Sequence, residues 1–444
     1  MHCGYIVKVE KLRKHPNADR LNIATFFGND TCVGLDICMG EIGIYFPSDI
    51  QLSEEFCDEN HLCRTKADGT ADIGYLERRT RHIKAINLRG EKSDGIYLPI
   101  KCLEFTGINP FSFKIGDTIT VVNGIEICGK YIPKSNKRIR ENCTWCKSKK
   151  KRAPIAPLFA EHKDTEQLQY NLSAFHAGDL IEITEKCHGT SARTGYLPIL
   201  KKYKRSLLDI LLKKDGKPIY EYGYVSGTRR TVLENYVGGF YGSNAFREQH
   251  SKNFEGKLHK QETIYGEIVG FIDNGTPIMP TCENEKTQDK DFIKQYGKTT
   301  VFSYGCEPTG KRGKGITEIE VPQSDFYAYR MTSTNEDGYV IEYSPEQLKF
   351  RCEQMGIKTV PLLWKGFIPE DVENAGEWVL ELSKQLAEGS STIDARHLRE
   401  GVVVRIVNRQ KLESYKYKSF NFRLLEGIIK SEATEADREE QEDL

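Results

Sequence analysis

The sequence predicts an α+β protein in two parts, a small β-rich unit at the N-terminus followed by a larger domain of antiparallel sheets with a few helices. Three observations carry this. At 444 residues the chain exceeds what one ordinary core holds, and length alone calls for about two or three domains. Short β-like runs separated by Gly, Asn and Asp turns fill the segment up to about residue 130. Beyond residue 158, β-like stretches alternate with polar loops, without the strand-helix-strand cadence of a doubly wound sheet.

In the first part (residues 1–130), Tyr5–Val9, Ile42–Phe46 and Thr118–Val122 read as strands of a small β-barrel. The segment from His15 to Leu21 breaks at His-Pro, makes an Asx turn and enters a strand, which suits a barrel's first corner. It resembles the loop of tRNA-binding OB domains, and so implies an OB-type barrel. Such barrels bind nucleic acid on an open face, whereas the same residues also suit a purely structural corner; both readings stand.

Residues 131–157 read as a basic linker. Lys130 to Arg152 holds ten basic residues against the single acid Glu141, and Pro133, Pro154 and Pro157 break any periodicity. Within it, Cys143 and Cys146 have zinc-ligand spacing, but one such pair supplies two of the four ligands a structural zinc needs, which favours free thiols. Thirteen scattered cysteines, an odd count, fit a reducing compartment. The N-terminus lacks the order of a secretory signal, and no apolar run approaches the roughly 18 residues of a membrane span. An intracellular protein is expected, with no membrane partner. Net charge is zero, so partners are to be read from segments rather than from the whole.

The second domain is expected over 158–430, with its clearest amphipathic helix at Ala375–Glu388, and residues 431–444 as an acidic disordered tail. Ile181 to Glu185 alternates like a strand, after which Lys186-Cys187-His188-Gly189 turns at the glycine. A lysine so placed projects from a rigid strand end. To attack the α-phosphorus of a nucleotide it must be neutral, which neighbouring positive charge, usually metal, would bring about. Alone, the pattern fits a solvated surface lysine as well.

Further residues supply what such a pocket needs. Glu267, after Gly266 on a strand, can accept from ribose hydroxyls or help hold a metal. Tyr329 or Phe326 offers an aromatic face to a base, though aromatics so spaced also build cores. Glu400 stands at the mouth of the strand Val402-Val403-Val404, where a carboxylate can hold a divalent cation. Lys416 and Lys418 alternate with Tyr415 and Tyr417, so both ammonium groups share a face and want a polyphosphate, or else guard a strand edge. Arg229, or Arg230 beside it, offers a planar fork to a phosphate or ribose.

In this order the motifs resemble those of covalent nucleotidyltransferases, the superfamily of polynucleotide ligases and capping enzymes, over most of 158–429. The resemblance implies an adenylyltransferase (ATP-grasp-like ligase) domain in which Lys186 is the nucleophile and Lys416 and Lys418 act on the α-phosphate. It places Glu185, His188, Gly189, Arg193, Arg229, Glu267, Tyr329, Lys416 and Lys418 at ATP, and Glu267 and Glu400 at magnesium or manganese. His188 stands where DNA ligases and capping enzymes usually have aspartate. The blocks Glu161–Thr165 and Glu185–Arg193, with a barrel ahead of the transferase, look like the fifth RNA ligase family. That family implies transfer of AMP from ATP to Lys186, then to an RNA 5′-phosphate, then displacement by a 3′-hydroxyl in nick sealing or RNA repair. RNA ends, in nicked duplexes or single strands, are the expected partners of a monomer. The stretches 201–222 and 333–396 read as insertions without an assigned role. Two alternatives remain, a non-catalytic RNA-binding protein with a decayed transferase domain and a GMP-transferring capping-type enzyme.

Neutralising Lys149, Lys150, Lys151 and Arg152 is expected to weaken RNA binding and to spare AMP loading of Lys186. Equal loss of both, measured in parallel, would mark the segment as structural.

Overall fold

The N-terminal apolar runs fold as short strands, those at Gly4–Lys8 and Ile42–Phe46 buried on both faces. The computed structural model describes residues 2–131, 154–206, 216–233, 236, 241, 243–287, 289–307 and 323–431. The strands β1 (Gly4–Lys8), β2 (Leu12–Lys14), β3 (Leu21–Phe26), β4 (Asn29–Gly34), β5 (Ile42–Phe46), β6 (Ile96–Pro99) and β7 (Thr118–Ile119) form two antiparallel sheets. One runs β7-β1-β5-β6, the other β2-β3-β4. Tyr5, Val7, Ala24, Phe26 and Tyr45 share one core between them, and Ile6, Ile44, Phe46 and Phe56 fill another.

Among the described residues the two sheets stay open and no closed barrel forms, because β2, β3 and β4 pair only with one another. The His15 corner is tied by its own ring: Asn17 N donates to His15 Nδ1 at 3.1 Å, and Nε2 lies 3.1 Å from Leu88 O.

The larger part contains β8 (Glu166–Gln167), β9 (Leu180–Lys186), β10 (Thr190–Lys204), β11 (Lys217–Gly227), α1 (Ala245–Lys252), β12 (Glu262–Gly270), β13 (Ser324–Thr334) and β14 (Val340–Glu342). It continues with α2 (Pro345–Met355), β15 (Leu362–Phe367), α3 (Ala375–Ala387), β16 (Gly401–Ile406), β17 (Glu413–Lys418) and α4 (Phe420–Ser431). One sheet has the order β8-β17-β16-β9-β15 and the other β11-β10-β12-β13-β14. β9 passes into β10 through Cys187-His188-Gly189, so Lys186 stands at the seam between the sheets. Gly189 is required there, since a Cβ would lie 2.3 Å from Ile268 O.

Helices back each sheet. α3 starts at Asn374, whose side chain accepts from Glu377 N, and sets Val379 and Leu380 under Ile181, Ile183, Val402 and Val404. Phe246 of α1 and Leu348, Cys352 and Met355 of α2 pack on Ile264, Ile268 and Phe326 of the other sheet. The stretches read as insertions join the fold where they are described: residues up to 204 and from 217 extend the β10–β11 hairpin, and 333–396 supplies β14, α2, β15 and α3. Most of the basic linker, with Cys143 and Cys146, and the acidic tail beyond Ser431 lie outside the described residues. Among the described residues no helix is long and apolar enough to cross a membrane.

The N-terminal part is fastened to α4. Arg423 donates to Asp94 and to Asn29, and its guanidinium lies 5.6 Å from the Tyr417 ring centroid. Asp94 is 2% exposed, so removing its partner strands a buried charge. Arg423→Met is expected to cost about 3 kcal/mol, and adding Asp94→Asn to recover part of it. Urea unfolding midpoints test this; an unchanged midpoint would mean that the pair contributes nothing.

Candidate active site

Register brings the lysines together. In the first sheet Lys186 pairs across to Gly401 and Gly401 to Lys418; the next row is Thr184, Val403 and Lys416. Because side chains alternate along a strand, Lys186, Lys416 and Lys418 face the same side. Gly401 permits the close approach, since a Cβ would stand 2.1 Å from Tyr417 O.

Beneath this row lies Glu400, 2% exposed. Its Oε1 is 2.8 Å from Lys186 Nζ and 3.7 Å from Lys418 Nζ, and its Oε2 is 3.6 Å from His188 Nδ1. Burial works against ionisation of Glu400, but Lys186, then His188 and Lys418, outweigh it and hold the carboxyl well below the usual carboxylate range. Lys418 also donates to both oxygens of Glu426, at 2.8 and 2.9 Å. The His188 ring is wedged between the Phe302 and Phe422 rings, at 4.7 and 4.8 Å, while the His188 backbone N–H donates to Tyr304 Oη. Burial pushes the Cys187 thiol well up, as do the nearby carboxylates Glu185 and Glu267.

The second sheet forms the opposite wall. Ser191 and Glu267 are cross-strand partners, with Ser191 Oγ 3.4 Å from Glu267 Oε2. Tyr265 pairs with Arg330 and Gly266 with Ala328, which leaves Tyr329 as the extra residue of a bulge. Bulges re-aim side chains. Tyr329 lines the cavity, its ring edge-on to His162 at 5.3 Å, whereas Phe326 is consumed by the core. Arg229 sits at the rim, 3.6 Å from Asp164, whose other oxygen takes Arg230 at 2.8 Å.

Between the walls is a cavity of about 860 Å³, lined by Lys186, Arg229, Glu267, Tyr329, Lys416 and Lys418 among others. That volume falls in the range of roughly 300–1,000 Å³ usual for small-molecule sites. Its cations suit a polyanion, and its bulged tyrosine suits a flat ring. Of the residues expected at the nucleotide, His188, Gly189 and Arg193 do not line this cavity, and Glu185 and Arg193 spend their side chains on other partners. The Glu185 carboxylate is 0% exposed, and it accepts from Thr392 N at 2.9 Å as well as from the Ser391 and Thr392 hydroxyls. Glu185 borders the cavity, but as the strand neighbour of Lys186 it spends its carboxylate on Ser391 and Thr392. Arg193 is 1% exposed and spends its guanidinium on the carbonyls of Phe159, Ala160, Thr228 and Arg230, so it shapes the Arg229 turn from behind. Glu426 was not singled out from the sequence. It lies beyond the last strand motif, and nothing local announces its contact with Lys418.

Glu400 and Glu267 suit a hard cation. Glu400 Oε2 is buried with His188 Nδ1 at 3.6 Å, beyond an ordinary hydrogen bond, and magnesium-type ions take one or two carboxylates plus substrate oxygens and water. Among the described residues no group of three or more His, Cys, Asp or Glu could hold a metal by itself, so the substrate would have to complete the shell.

A family model described as RNA ligase matches residues 179–418, more than half of the chain. Among curated proteins nothing matches. Solved structures of Naegleria gruberi RNA ligase share the fold. A mutant with AMP and Mn has a TM-score of 0.53 at 15% identity over 95% of this chain and 97% of that one. A mutant with ATP and Mn gives 0.55 at 15%, over 95% and 98%. The protein with PPi gives 0.53 at 15%, over 94% and 97%.

Glu400→Gln would leave Lys186 and Lys418 without their buried counter-charge, and is expected to cost roughly 3 kcal/mol. Since the folded-state pKa of Glu400 is lowered, its contribution is complete above the unfolded glutamate pKa of about 4.3 and is lost as pH falls through the lower folded value. Thermal midpoints of both proteins at neutral and acidic pH check this; a gap that widens on acidification would contradict it.

Proposed function

From the premise that the chain belongs to the RNA ligase family, we propose that it joins RNA 3′-hydroxyl and 5′-phosphate ends at the expense of ATP, through AMP carried on Lys186. The observation that carries this reading is the Lys186-Gly401-Lys418 row above the buried Glu400, facing Glu267 and Tyr329 across a nucleotide-sized cavity. The Naegleria gruberi enzyme, with the same fold, has been solved with ATP and with AMP, each with Mn.

In this reading Tyr329 takes the adenine face and Glu267 the ribose hydroxyls. Lys416 and Lys418 bind the α-phosphate and stabilise the charge that grows there. Lys186 Nζ attacks the α-phosphorus; the P–N bond forms, the bond to pyrophosphate breaks, and the amine loses a proton. AMP then passes to an RNA 5′-phosphate, and a 3′-hydroxyl displaces it to leave a phosphodiester. Lys186 must be neutral to attack, whereas Glu400 at 2.8 Å favours its ammonium form. Magnesium or manganese held by Glu400, with Glu267, would neutralise phosphate charge and remove that bias. Arg229 is assigned to the RNA 5′-phosphate or the ribose.

The N-terminal sheets serve as an OB-type module ahead of the transferase domain, as in the fifth RNA ligase family, with boundaries near 130 and 158. RNA repair is the proposed role. Incubation with labelled ATP and magnesium is expected to label the protein, and Lys186→Ala to abolish the label. Label kept in that variant would overturn the assignment, and an unlabelled wild type would favour the non-catalytic RNA-binding reading. Sealing of nicked RNA, nicked DNA and single strands in parallel then identifies the substrate.

A further inference from the structure

We propose that the outer half of the β10–β11 hairpin is an arm that binds the phosphate backbone of RNA beside the cavity; this rests on the RNA ligase reading above. β12 pairs with β10 only from Thr190 to Gly195, whereas the β10–β11 ladder runs on to Lys204 and Lys217. From Tyr196 outward the hairpin is a two-stranded ribbon, braced by Leu200 N to Ile155 O at 2.7 Å and Tyr220 Oη to Pro154 O at 3.2 Å. Its inner stretch rests on Phe159 through Leu197 and Val225. Among the described residues, no hydrophobic cluster takes in any residue of β10 beyond Ile199. Two-stranded ribbons are marginal in water by themselves, so packing does not account for the outer length.

The charge on that length is one-sided. Lys201, Lys202, Lys204 and Lys217 are exposed, and Glu221 is the one acid among the described residues of the outer ribbon. Glu221 lies 3.9 Å from Lys201, with both side chains more than half exposed, which makes a weak pair. Lys204 and Lys217 are direct cross-strand partners. Like charges set opposite one another destabilise a ladder, and lysines that merely guard an edge need no such pairing. An extended polyanion turns this cost into affinity.

Position selects RNA as that polyanion. The end of β11, Gly227, leads within three residues to Arg229 and Arg230 at the cavity rim. From Gly227 back to Lys217 is a run of roughly 33 Å at about 3.3 Å per residue, long enough to follow a strand whose end lies in the cavity.

The experiment uses the full chain and a fluorescein-labelled nicked RNA duplex, with affinity measured across a salt series. Replacing Lys201, Lys202, Lys204 and Lys217 by glutamine should weaken binding on the order of tenfold and flatten the log–log salt slope by about one unit per engaged lysine. AMP loading of Lys186 should be unchanged, and the four-arginine counterpart should bind like wild type. Unchanged affinity and slope in the glutamine variant would overturn the arm. So would a parallel fall in AMP loading, which would make the ribbon structural, or lost binding to polyglutamate with RNA binding kept, which would point to an acidic protein. A wild type that takes no AMP would sink the ligase reading separately, while the salt slope still decides the arm.

Discussion

A carboxylate as buried as Glu400 persists in ionised form only when it is paired, and the pairing of this one with two lysines fixes the geometry around it. Lys186 and Lys418 reach the same oxygen because β9, β16 and β17 are in one register, with Gly401 between them. A slip of one residue in either ladder would turn a lysine to the other face. The anion therefore stabilises the register, and the register holds two like charges near each other that would otherwise repel.

The resting site is furnished with its own anions. Lys186 and Lys418 are both partnered by carboxylates, and Lys418 by Glu426 as well as Glu400. On the proposed reading a triphosphate would compete with these partners on equal chemical terms, so that its arrival would redistribute existing charge pairs. The same exchange would free Glu400 for a divalent ion. On that reading, selectivity for a nucleotide over a simple polyphosphate would fall to the opposite wall, where the bulge at Tyr329 departs from the regular ladder to present a ring.

Much of this site was legible because strands repeat every two residues. The period predicted that Lys416 and Lys418 share a face, and a strand ending at Lys186 is what the structure contains. The same rule, applied to Glu185, separates it from Lys186: neighbours in a strand face opposite ways, and Glu185 anchors Ser391 and Thr392 instead. Where the Arg193 guanidinium goes is not legible in the sequence, because it is engaged by four carbonyls brought together by two loops, and no local pattern announces carbonyls. The N-terminal strands were visible in outline, but closure of a barrel depends on which edges pair, and edge pairing is set by long-range contacts. The stretch 333–396 looked inserted only because its strand and helices join sheets whose other members lie far away in sequence.

Long-range contact also decides what positions Lys418. β17 ends at Lys418 and α4 begins at Phe420, so the helix that carries Glu426 also carries Arg423 one turn earlier. Arg423 is held by Asp94 and Asn29 of the N-terminal part, and Glu426 by Lys418. A displacement of the N-terminal sheets would pull on α4, and through Glu426 on an ammonium group of the cavity. The N-terminal part thus enters the geometry of the lysine row through a short helix and two ion pairs. That arrangement gives a physical reason for the two parts to be joined by buried side chains as well as by a basic connecting segment.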